Sequence, residues 1–157
     1  MSRRAIVTAM LLGALGFGGC MREPPPERWT TMTARAHREA DRRLDAGDAA
    51  GARARLLALV DAQKAHAGDS AERRLALQDS YFRLARLALS DHDPRQAVAY
   101  ADAGLAYGTA PHLFVANLLV ARGAALEAAG DARAAAADYQ RALLINETLL
   151  GQAAGPR

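Results

Sequence analysis

Histidines, a few serines and scattered carboxylates are the residues that could do chemistry in this 157-residue chain. His37, His66, His92 and His112 never fall three or four residues from one another, the spacing that sets two metal ligands on one helix face. Asp91-His92-Asp93 brings two acids to an imidazole, which reads as a metal clip or an acid–base cluster. Read as a turn, the same residues end one helix and cap the next. Ser70, Ser80 and Ser90 lie in no Gly-x-Ser-x-Gly elbow that would present a nucleophile. Asp41 and Asp45 share a helix face, as exposed acids commonly do. The glycines between residues 16 and 19 follow no strand, so they form no phosphate loop. The expectation is a chain without catalytic residues, metal or cofactor.

The composition says which elements must position any site. It is 51% hydrophobic, 24% charged and only 5% aromatic. Ala, Leu and Arg favour helices, while the β-branched and aromatic residues of strands are scarce. The length suits one domain. No apolar run approaches the roughly 20 residues of a spanning helix. A single cysteine excludes a disulfide framework. The formal charge of +3 includes Arg3 and Arg4 of the first segment; beyond residue 19 there are 18 basic and 17 acidic residues. Charges so balanced and interspersed make no footprint for nucleic acid.

Residues 1–19 open with the basic Met1-Ser2-Arg3-Arg4 and continue through an uncharged apolar stretch, Ala5 to Phe17. Gly18-Gly19 then precede the sole cysteine, Cys20. The segment resembles a bacterial lipoprotein signal, which is cut before a cysteine that carries a diacylglycerol. The resemblance implies lipidation at Cys20 and, with Met21 rather than an aspartate next, sorting to the outer membrane, facing the periplasm. The plainer alternative is an incidental thiol behind an ordinary secretory signal or anchor. Export by the general or the twin-arginine route stays open. Residues 20–29 include Pro24-Pro25-Pro26, which favours an extended spacer.

From residue 30 to 150 the chain reads as six helices. Ala46-Gly47-Asp48, Asp91-His92-Asp93-Pro94 and Ala129-Gly130-Asp131 are three hinges. In each, the aspartate suits the cap of the next helix, and glycine, where present, suits the left-handed stop of the previous one. Pro94 fits the first position of a helix. Around the hinges, apolar residues recur every three or four positions: Ala36, Ala40 and Leu44; Leu77, Tyr81, Leu84 and Ala88; Leu119, Gly123 and Leu126. Asp69-Ser70-Ala71-Glu72 fits a capping box with Asp69 as cap. Pro111 marks the opening of the fifth helix, and Gly151 ends the last, leaving 151–157 as a loose tail.

Gly123, Leu126, Gly130-Asp131, Ala135, Tyr139 and Ala142-Leu143 match the spacing of a tetratricopeptide repeat, and Tyr81, Leu84-Ala85, Asp93, Ala97, Ala101 and Gly104-Leu105 align with them. Gly47-Asp48, Ala52 and Leu56 keep a degenerate first copy. The hinge aspartates lie 45 and 38 residues apart rather than 34, with the extra length between hairpins. The resemblance implies an all-α fold, a short right-handed solenoid of about three antiparallel hairpins. An irregular six-helix bundle is the alternative.

A tetratricopeptide array is expected to hold a protein or peptide in a groove lined by the first helix of each hairpin. Carried over by position, that groove comprises His37, Asp41 and Leu44, then Asp79, Phe82, Arg86 and Leu89, then Asn117, Val120 and Glu127. Phe82 could equally be core, since Tyr81 and Phe82 cannot both face inward. Leu143, Leu144, Ile145, Leu149 and Leu150 surround most of the last helix, where an array should end in a polar cap. This implies a partner subunit or self-association, or a fold back under Trp29. The function expected is a non-enzymatic scaffold or adaptor in the envelope. The alternatives are a ligand-binding helical bundle and, further off, a minor envelope enzyme.

Overall fold

The computed structural model describes residues 26–65 and 70–155. Cys20, the apolar segment before it, His66 and Asp69 lie outside the described residues. Six α-helices and no strands are present among the described residues: α1 Pro26–Asp45, α2 Ala49–Lys64, α3 Ala71–Ser90, α4 Pro94–Leu105, α5 Leu113–Ala128 and α6 Ala132–Ala153. The fold is all-α. No described helix is long and apolar enough to cross a membrane.

The three hinges share one hydrogen-bonding device. Gly47, His92 and Gly130 adopt positive φ of 78°, 58° and 89°. That turn sends the next amide back along the helix just ended. The amides of Asp48, Asp93 and Asp131 donate to the carbonyls of Arg43, Ala88 and Leu126 at 2.8, 2.9 and 2.9 Å. Two otherwise orphaned carbonyls are satisfied at each stop. The same aspartates then accept from the amides of Gly51, Gln96 and Ala134 at 2.8, 3.0 and 3.0 Å. A helix therefore ends and another begins within three residues, and the second runs back along the first.

Several boundaries differ from those expected. α1 starts at Pro26, inside the expected 20–29 spacer, because proline is tolerated in the first turn where its missing N–H has no partner to lose. Ser70, not Asp69, caps α3; its hydroxyl accepts from the Arg73 amide at 3.2 Å. α5 begins at Leu113 with His112 as cap, so Pro111 stays outside the helix. α6 continues past Gly151 to Ala153, and Gly155, at a φ of 72°, lies just beyond its C-cap, Ala154.

Packing follows the chain. Each hairpin closes on itself, α1 on α2, α3 on α4 and α5 on α6. Between hairpins, α3 touches α1, α2 and α5, and α4 touches α5. The backbones of the outer hairpins do not approach each other, and neither do those of α2, α4 and α6. Among the described elements α6 packs only on α5, so it does not fold back under Trp29, which is buried at the start of α1. The core is built from Leu56 and Val60, Leu77, Tyr81 and Leu84, and Val115, Leu118 and Leu119, with alanines between them.

Small residues set how closely the helices approach. A β-carbon on Gly104 would stand 2.8 Å from a Leu118 methyl and 3.0 Å from the Tyr81 Cβ. On Gly123 it would stand 2.7 Å from the Tyr139 ring. Arg122 locks the same region: it grips Asp138 of α6 through two bonds of 2.7 Å and Asp102 of α4 through one of 2.6 Å. Those carboxylates hold the guanidinium even more firmly protonated than usual.

Two substitutions test this account. Gly123→Ala is expected to lower stability by about 1–3 kcal/mol through overpacking against Tyr139. His92→Gly is expected to raise it by about 1 kcal/mol, because only the hinge histidine bears a Cβ in the left-handed region. Thermal or urea unfolding followed by circular dichroism reads both. A Gly123→Ala protein of unchanged stability would contradict the close approach.

Candidate functional site

The odd-numbered helices α1, α3 and α5 lie in a row, and two surface cavities open along them. One, of about 290 Å³, is walled by Ala40, Asp41 and Leu44 of α1, Leu56 of α2, and Arg83, Arg86, Leu87 and Ser90 of α3. The second, of about 350 Å³, runs from Thr33 and His37 past Leu75 and Asp79 to Phe114 of α5. Each combines an apolar floor with charged walls.

The residues expected in a groove divide into three groups. Asp41, Leu44 and Arg86 line the first cavity, and His37 and Asp79 the second. Val120 is exposed on α5 and Asn117 half-buried beside it. The remaining residues are engaged within the fold. Phe82 is half-buried against the core, with the Arg86 guanidinium 5.7 Å from its ring centroid. Leu89 packs on Ala88, Ala97 and Ala125, toward α4 and α5. Glu127 accepts a hydrogen bond of 2.9 Å from the Tyr139 hydroxyl of α6, so its carboxylate is bound to its own hairpin.

His37, at the edge of the second cavity, is largely buried between α1 and α3. Its Nε2 lies 3.2 Å from the Ser80 Oγ and its Nδ1 3.2 Å from an Asp79 oxygen. Serine, histidine and aspartate thus meet in the order of a nucleophilic triad. Two observations deny the serine that role. Ser80 is fully buried, and its hydroxyl donates to the Ala76 carbonyl at 2.8 Å. In this structure the hydroxyl is directed to the backbone and its oxygen is shielded from solvent. The constellation ties α1 to α3.

Arg83 was not among the groove residues expected from the sequence. It donates to Asp41 at 2.9 Å and stands 3.5 Å from Asp79, so it braces the α1–α3 seam while walling the first cavity. Leu75, Asp79, Arg83, Arg86 and Ser90 follow helical spacing along one stripe of α3. That signal was available; choosing Phe82 and Leu89 placed the stripe one residue early, about 100° around the helix.

No protein-family model matches this chain, and neither the curated proteins nor the solved structures give a match. The functional reading therefore rests on the sequence and on this geometry.

Other titratable groups serve structure. The Lys64 ammonium lies 5.3 Å from the Tyr81 ring centroid, and its pKa is raised, chiefly by a hydrogen bond with Tyr81, the opposite of what a nucleophilic lysine needs. Tyr107, stacked on Tyr81 at 6.0 Å, is raised by burial. Among the described residues no three His, Cys, Asp or Glu side chains converge to hold a metal ion.

His112 has a consequence for pH. Its Nδ1 accepts from the Phe114 amide at 3.2 Å and caps α5. Burial lowers its pKa below the ordinary histidine value. A depressed folded-state pKa makes its stabilisation complete above the unfolded value, about 6.5, and lost as pH falls through the folded one. Protonation also removes the acceptor. Unfolding curves at pH 7.5 and pH 5 are expected to show a larger acid loss for the parent chain than for His112→Asn, whose amide oxygen caps at both. Equal losses would contradict this role.

Proposed function

We propose that the chain is a non-enzymatic scaffold or adaptor of the bacterial envelope, an outer-membrane lipoprotein that holds a periplasmic protein segment. Its hairpins stack as a short right-handed tetratricopeptide-like solenoid. Two features support the stack: among the described elements each hairpin packs only on its neighbour in sequence, and one hinge device recurs three times. Successive odd helices pack together while even helices do not, which bends the array toward α1, α3 and α5. Lipid on Cys20 tethers the molecule.

The observation that carries the binding reading is the cavity of about 290 Å³ on that inner face. Leu44, Leu56 and Leu87 offer an apolar seat, and Arg83 and Arg86 stand at its wall. The occupant that fits is an apolar side chain with a carboxylate close by, presented by an extended or helical segment. Arginine beside an apolar anchor is the composition of an interaction hot spot.

A photoreactive residue at Leu44, in cells carrying the full chain, is expected to link one discrete envelope protein. Arg86→Glu should abolish the link while leaving far-ultraviolet ellipticity and thermal midpoint unchanged. Persistence of the link in that variant, or the absence of any protein adduct, would overturn the adaptor reading. Separately, Cys20→Ser is expected to move the chain from the membrane fraction to the soluble periplasm.

A further inference from the structure

The last helix carries a face that nothing in the described structure covers. Ala135, Asp138, Ala142 and Ile145 of α6 are buried, with Leu149 half-buried beside them. On the opposite side Leu143, Leu144 and Leu150 are 58%, 63% and 71% exposed, more than any other large apolar side chain described. Along that side the helix begins with Ala136 and Ala137 and ends with Leu150 and Gly151. Gln140 and Glu147 lie on its midline, and all are exposed.

We infer that this face is a homodimer interface, in which α6 pairs antiparallel with α6 of a second copy across a two-fold axis at Leu143 and Leu144. The order of residues is complementary to its own reverse. Turned end for end, Leu143 meets Leu143 and Leu144 meets Leu144. Leu150 comes over Ala136 of the other copy, large against small, and Gly151 over Ala137. The positions at 100° per residue keep each pair on the same side of the seam. Gly151 has open space around it, with no atom within 4 Å of a built Cβ, so a second helix can come close there.

Polar groups agree with the same register. Gln140 of one copy faces Glu147 of the other, an amide donor against a carboxylate. Arg133, exposed in the first turn of α6, comes beside the far end of the other α6, where unpaired carbonyls favour a cation. A parallel pairing would instead set Glu147 on Glu147 and Arg133 on Arg133, and would hold Ala136 apart wherever Leu150 touched Leu150. One patch that complements itself is what a two-fold interface requires. A 22-residue helix is about 33 Å long, and a single helix pair of that length is a small interface. The dimer is therefore expected to dissociate on dilution. This inference is independent of the face of the odd-numbered helices.

Disulfide trapping in the full chain tests it. Cys20 is present in every variant, so the unsubstituted chain sets the background. Under mild oxidation, Leu144→Cys is expected to give a band of doubled mass on a non-reducing gel, absent for Ala54→Cys on the exposed side of α2. Ala136→Cys and Leu150→Cys should each give no such band alone and a strong one combined in one chain. Adding Leu143→Glu to Leu144→Cys should remove the band while helicity persists. A Leu144→Cys band no stronger than that of Ala54→Cys would overturn the inference. So would an adduct with a protein of another mass, or a strong band from Leu150→Cys alone, which marks parallel pairing.

Discussion

A backbone helix leaves carbonyls unpaired at one end and amides unpaired at the other, and this chain answers both within three residues. At each hinge a left-handed residue returns the following amide to the helix just completed, and the aspartate bearing that amide caps the helix to come. One residue thus closes two helices. The geometry allows the second helix only one direction, back along the first, and the hairpins follow. The middle hinge makes the same turn with His92, which shows that the requirement is for the backbone angle and that glycine is its least strained supplier.

Once hairpins exist, their alanine-rich faces decide how they stack. With few aromatic residues to fill space, close approach of backbones replaces bulk: Gly104 admits Leu118, and Gly123 admits the Tyr139 ring. Charged groups bridge the seams between elements. Arg122 joins α4, α5 and α6, the Arg53–Asp91 pair joins α2 to the second hinge, and Arg83 with His37 joins α1 to α3. The Arg122 guanidinium, satisfied by two carboxylates, joins three helices at one point.

The candidate binding face is what remains after these demands are met. At the first cavity Asp41 and Arg83 reach across the α1–α3 seam, and Leu44 and Leu56 share its lining. The triad-like meeting of Asp79, His37 and Ser80 is a caution about reading function from constellations. Its distances suit catalysis, whereas its burial and its hydrogen-bond donor suit a joint between helices.

Much of the fold was legible in the order of residues, and for a local reason. Helix propensity, the hinge triplets and three- and four-residue apolar spacing act over one or two turns of chain, so six helices and their three tight turns could be read directly. Boundaries between hairpins were less legible, since Asp69 and Ser70 are both good caps, and Pro111 marks a helix start although α5 begins two residues later, with His112 as its cap. Which side of α3 meets its neighbours was not decided locally at all. Tyr81 and Phe82 are similar in kind, and only the packing of α4 and α5 shows that Tyr81 and Leu84 go inward while Arg83 and Arg86 reach the open face. His37 likewise reads as a surface residue until α3 places Ser80 and Asp79 against it. Contacts between residues some forty positions apart leave no periodic trace in either partner, so tertiary structure alone decided them.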